Sequence, residues 1–158
     1  MIDAVVRDAD EGLALWTMGL LMTIRVGSAQ TDGRLAAMEM LMPPDAAPPL
    51  HIHHNEDELN YVLEGEITMQ CGERVWECGP GSMVFLPRGV PHAFRPGRAG
   101  ARMLGVVTPG GLENLYAAVG QPALERRIPG IAPNIAGWMG LAEQYGLELA
   151  GPPLPQRA

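Results

Sequence analysis

The residues best equipped for chemistry lie in the run Pro49 to Gly65, PLHIHHNEDELNYVLEG, which holds three of the chain's four histidines. Imidazole nitrogen and carboxylate oxygen at short spacing are the donor set of a first-row transition-metal site. On an extended strand, residues two apart project to one face, so His51 and His53 form a pair of imidazoles while Ile52 and His54 point away. Glu56, Asp57 and Glu58 can each supply the carboxylate. Glu58 is favoured, because the run EDELNYVLEGE re-enters a strand near it, with Glu56 or Asp57 left on the connecting turn. The fourth histidine, His92, must come from a neighbouring strand in the segment GSMVFLPRGVPHAF. The expected site is therefore His51, His53, Glu58 and His92 around one divalent transition-metal ion. His54, facing the other way, is expected to stand outside it.

These two segments resemble the motifs of the cupins. The first, G-x5-H-x-H-x(3,4)-E-x6-G, is read here as Asp45, His51, His53, Glu58 and Gly65. The second, G-x5-P-x-G-x2-H-x3-N, is read as Gly81, Pro87, Gly89 and His92. Asp45 replaces the opening Gly and Pro96 the closing Asn, both at expected turn positions. The resemblance implies an all-β fold, a single jelly-roll β-barrel (double-stranded β-helix), with the metal inside it. Downstream, TPGGLENLYAAVGQPA, a helix and GLELAGPPLP are similar to the C-terminal extension of bacterial monocupins labelled quercetin 2,3-dioxygenase-like. Cupins resembling this chain also include polyketide cyclases.

The elements that must position these groups are short and bounded by turn residues, as in a barrel or sandwich. ALWTMGLLMTIRV reads as one strand, GSAQTDGR as a turn and RLAAMEMLM as a strand stopped by Pro43-Pro44, since proline cannot donate to a ladder. The metal-bearing strands follow, then GERVWECG, SMVFLP, HAF and ARMLGVVT. After Thr108 the period changes: Leu112, Leu115, Tyr116 and Val119 form one short amphipathic helix, and Ile135, Trp138, Met139, Ala142 and Tyr145 a second. These two helices are expected to cover the outside or an open end of the barrel. The tail AGPPLPQRA reads as extended, either loose or packed on a neighbouring subunit. The chain of 158 residues is expected to form one domain, 1–158, with a core barrel at about 13–108 and a helical extension at about 110–150.

A net charge of −7 with no basic cluster argues against a nucleic-acid partner. The thirteen-residue run GLALWTMGLLMTI is too short to span a bilayer and lacks a basic leader, so neither a membrane nor secretion is expected. Cys71 and Cys78, not opposite each other in a hairpin turning at Gly72-Glu73, read as reduced thiols of a cytoplasmic protein.

Parity with Glu58 places Asn60 and Val62 inside the barrel, and parity with His92 adds Phe94. An inward Asn60 needs a polar partner: a ligand imidazole, a metal-bound water or a substrate oxygen. Met38, Met40 and Met42 share a strand face opposite Glu39, and turned inward they would make an adaptable apolar wall, or simply fill core. The metal could be Fe, Ni, Mn, Zn, Co or Cu. A redox ion suits dioxygenation of a small aromatic, flavonol-like or polyketide-like compound, with Glu58 as ligand or catalytic base. A non-redox ion suits cyclisation, isomerisation or elimination, and a third reading is a non-catalytic ligand-binding module. The outward apolar stripe Leu59, Tyr61 and Leu63 is the reason to expect a homodimer.

Overall fold

The computed structural model describes residues 2–44, 46–130 and 132–155. Asp45, the expected opening of the first motif, lies outside the described residues. The strands, in chain order, are β1 (Leu13–Thr17), β2 (Leu20–Val26), β3 (Ala36–Met42), β4 (Pro49–His53), β5 (Asp57–Cys71), β6 (Arg74–Cys78), β7 (Met83–Leu86), β8 (His92–Thr108), β9 (Gln121–Pro122) and β10 (Leu147–Pro153). The helices are α1 (Ser28–Thr31), α2 (Glu113–Val119) and α3 (Ile135–Ala142), the last continued by a 3₁₀ turn over Glu143–Tyr145.

The expected mostly-β jelly roll with two short C-terminal helices is present, and α1 adds a single helical turn where a plain turn was expected. The sheet runs β10-β4-β8-β3-β2-β1-β9, and β5 pairs with β6, β7 and the long β8. Among the described residues these ladders do not close into a hydrogen-bonded ring. Side-chain alternation follows the strand period: Ala36, Met38, Met40 and Met42 are buried on β3, as are Val62, Ile67 and Met69 on β5. Leu112, Leu115, Trp138 and Ala142 of the C-terminal helices join the same core. No helix among the described residues is long and apolar enough to cross a membrane.

Four details differ from the sequence reading. ALWTMGLLMTIRV is two strands, because Met18 and Gly19 both adopt positive φ, 51° and 76°, and turn the chain back on itself as a hairpin. HAF and ARMLGVVT are one strand, β8, continuous through the glycines between them. Pro96 is therefore in a strand and not in a turn; it is buried opposite Ile67, next to a register shift where a ladder can lose a donor. The C-terminal tail pairs as β10 against β4 of its own chain, Leu147 opposite His53 and Leu149 opposite His51. The hairpin register places Cys78 opposite Ile67 and Cys71 opposite Arg74, and both thiols are free.

Gly65 is where β5 must bend past β8. Its φ of 76° lies in the left-handed region, and a Cβ there would collide with the Gly100 carbonyl oxygen and come within 2.9 Å of the Ala101 Cα. Both neighbours are backbone and cannot swing aside. Gly65→Ala is accordingly expected to cost about 2 kcal/mol or more, from backbone strain alone in the 1–3 kcal/mol range plus the clash. Urea unfolding checks this, and an unchanged midpoint would refute it.

Candidate metal centre

The site starts from one register pair. His51 on β4 lies directly opposite His92 on β8, which brings imidazoles from distant parts of the sequence side by side. His53, two residues along β4, completes the group on the same face. The three ligand nitrogens lie within 4.8 Å of one another and all three residues are buried. Ring centroids are 4.6 Å apart for His51 and His92, 4.9 Å for His53 and His92, and 5.1 Å for His51 and His53.

Backbone carbonyls two residues upstream orient two of the rings. His51 Nδ1 lies 2.7 Å from the Pro49 carbonyl and His92 Nδ1 3.1 Å from the Val90 carbonyl. A neutral imidazole donating at Nδ1 leaves the Nε2 lone pair free, so both present an acceptor to the centre of the cluster. His92 Nε2 is buried without a hydrogen-bond partner among the described residues. The two motifs are also tied together: Gly89, at φ 77°, donates its N–H to the His53 carbonyl at 2.8 Å.

Glu58 enters from β5. Its Oε2 is 3.6 Å from His53 Nε2 and 3.7 Å from His92 Nε2, and its Oε1 accepts a 2.7 Å hydrogen bond from Asn60 Nδ2. Burial opposes ionisation of this carboxyl, but the His92 and His53 imidazoles and the Asn60 amide more than offset it and hold Glu58 well below the usual carboxylate range. His51 is pulled down to about 3, first by burial and then by its two imidazole neighbours. Burial also works against a proton on His92, yet Glu58 outweighs it and raises that histidine above its ordinary value. The fit to a transition-metal ion rests on these features: three converging imidazoles, two with fixed tautomers, an orphaned buried nitrogen, and an ionised carboxylate alongside.

Of the other acidic candidates, Asp57 is drawn away to Arg88, whose Nη2 is 2.9 Å from Asp57 Oδ2. Glu56 is buried with its Oε2 3.5 Å from His53 Nδ1, where it can hold that ring from behind. Sequence reasoning left Glu56 undistinguished on a turn; only burial separates it from Asp57. His54 lies on the surface against Glu148, at 2.7 Å.

The histidines and Glu58 open onto a cavity of about 100 Å³. Met38, Met40 and Phe94 line it as the strand parity suggested, together with Met18, Leu20 and Met22. Met42 instead packs in the core, and so does Val62, which is fully buried and not part of the cavity wall. Asn60 is inward, but its partner is the Glu58 carboxylate, none of the three that its position suggested. Sequence reasoning missed Tyr116 on α2 and Trp138 on α3, which also line the cavity. Their aromatic character on apolar helix faces was the available signal, and it was absorbed by the simpler role of covering the barrel.

Residues 38–107 match the family model described as a cupin domain. Over that segment the chain is similar to a cupin domain. It is 28% identical over 117 residues, 74% of its length, to quercetin 2,3-dioxygenase of Bacillus subtilis, and covers 35% of that protein. The chain thus spans about a third of the length of the curated relative it matches. Among solved structures it is similar to an RmlC-like cupin from Shewanella frigidimarina, with TM-score 0.60 and 18% identity over 72% of this chain and 99% of that one. A predicted oxalate decarboxylase from Thermotoga maritima superposes equally well, with TM-score 0.60 and 20% identity, covering 67% and 99% of the two chains. At such identities these structures bear on the fold alone.

Proposed function

We propose that this protein is a metal-dependent enzyme, a dioxygenase of a small aromatic, flavonol-like or polyketide-like compound, acting as one domain. The observation that carries the reading is the cluster His51, His53 and His92 with the ionised Glu58 beside it, placed at the wall of an apolar cavity. The likeness to quercetin 2,3-dioxygenase supports the reaction class. A bound divalent transition-metal ion would supply Lewis acidity toward a substrate oxygen and, if redox-active, a route for electrons to dioxygen. The imidazoles and Glu58 would hold the ion, and Met38, Met40 and Phe94 would keep water from the substrate. Asn60 holds Glu58 Oε1, leaving Oε2, on the side of the imidazoles, either to bind the ion or to take the proton of an acidic substrate hydroxyl. The test is metal analysis of untagged protein followed by oxygen uptake with a flavonol and catechol panel. Stoichiometric uptake supports dioxygenation. Conversion that proceeds equally well without oxygen would replace it with cyclisation, isomerisation or elimination, a second reading favoured by the same ionised Glu58, which needs no oxidant to act as a base.

We also infer a homodimer. The outward stripe Leu59, Tyr61 and Leu63 is continued across the sheet by Met83 and Phe85 of β7, which pair with Tyr61 and Leu59 and are 63% and 61% exposed. Apolar side chains this exposed on adjacent strands mark a contact surface. Light scattering should give about twice the 16.9 kDa chain mass, and a monomer at micromolar concentration would refute the inference.

A further inference from the structure

Trp138 is the residue whose chemistry the metal centre does not use. It lies on α3, outside the matched cupin segment 38–107, yet its side chain lines the cavity and stands edge-on to His51, ring centroids 6.3 Å apart and planes at 88°. The side chain is 2% exposed, and its indole nitrogen is buried without a hydrogen-bond partner among the described residues. Burying such a donor unpaired costs on the order of 1–3 kcal/mol, so it is retained where a partner arrives from elsewhere. Trp16 shows the ordinary solution in this same chain, its indole nitrogen donating to the Arg127 carbonyl at 3.0 Å.

An indole N–H donates and cannot accept. Its complement is therefore an oxygen or nitrogen acceptor; the same cavity is lined by Met18, Leu20, Met22, Leu112 and Ile135, which carry no side-chain donor, and by Tyr116, whose phenol can both donate and accept. Resting on the enzyme reading above, we propose that Trp138 is a substrate-positioning residue: its indole N–H donates to an acceptor oxygen of a small, flat, largely apolar substrate whose second oxygen meets the metal centre. The C-terminal extension is then the part of the chain that chooses the substrate, while β4, β5 and β8 supply the ligands. An ortho-oxygenated aromatic compound meets both demands, with the two oxygens on neighbouring ring carbons.

The test uses 15N-labelled protein, metal-free and zinc-loaded, with zinc occupancy measured first so that loss of the metal reading is seen separately. Two probes of similar shape are titrated: 2-methoxyphenol, which carries the acceptor oxygen, and 2-ethylphenol, which lacks it. The Trp138 indole resonance should move downfield with 2-methoxyphenol and stay in place with 2-ethylphenol. In Trp138→Phe the affinity for 2-methoxyphenol should fall three- to tenfold, the worth of one neutral hydrogen bond, with 2-ethylphenol unchanged. Equal responses to the two probes, no resonance shift on 2-methoxyphenol binding, or binding of neither probe would each overturn the proposal. A donor turned onto the face of the His51 ring would give the second of these outcomes.

Discussion

His92→Ala should purify folded and strongly depleted of transition metal, and His51→Ala should do the same. Each change removes one of three converging imidazoles whose nitrogens lie within 4.8 Å, and the remaining pair with Glu58 offers one donor fewer and so a weaker hold on an ion. Elemental analysis of wild type and variants prepared side by side measures this, and full occupancy in either variant would remove that histidine from the ligand set. The pH dependence follows from the same groups. A ligand imidazole must be neutral. His51, pulled down to about 3, is already neutral at pH 7, whereas His92, raised by Glu58, holds its proton to higher pH in the metal-free protein. Metal binding must therefore displace that proton, so affinity falls as pH drops through and below the raised His92 value, by up to about tenfold per unit for one proton. Titration of the metal-free protein at pH 8 and pH 6 should show it, together with proton release on binding. An affinity that does not change with pH would contradict the assignment of His92.

Glu58→Gln should retain part of the metal and lose turnover by on the order of a hundredfold or more, the usual range for a general base. The amide keeps the shape of the carboxylate and can still meet Asn60, but it cannot take a proton. The amide also leaves the imidazoles without their neighbouring negative charge, so His92 should lose its raised value and metal binding should become less sensitive to acid. Steady-state kinetics on metal-normalised enzyme is the deciding measurement. Normal turnover in the variant would end the base role for Glu58 while leaving its role as a ligand open to the occupancy measurement.

The three-imidazole cluster was legible because metal chemistry needs particular residue types and strand geometry imposes a period of two. HxH on a strand and His92 beyond two glycines suffice to place three imidazoles. Asn60 turning inward and Tyr61 outward followed from the same parity. What was not legible depended on where the chain goes after a break in pattern. Met18 in a left-handed turn defeats a reading by hydropathy, since nothing about a methionine announces a positive φ; only Gly19 hinted at it. Glu56 and Asp57 are equivalent in sequence and opposite in fate, one buried behind His53 and one paired with Arg88, because burial is a tertiary property. The roles of Tyr116 and Trp138 needed the helices to be placed, and their periodicity showed only that they had an apolar face.

The pairing of β10 with β4 ties the histidine cluster to a distant part of the chain. The strand of His51 and His53 is flanked by β8, which brings His92, and by β10, which begins at Leu147. A ribosome must deliver nearly all of the described chain before the two-histidine strand has both neighbours. Removing β10 should therefore weaken metal retention although it touches none of the three histidines, because it strips one flank from the strand that carries two of them.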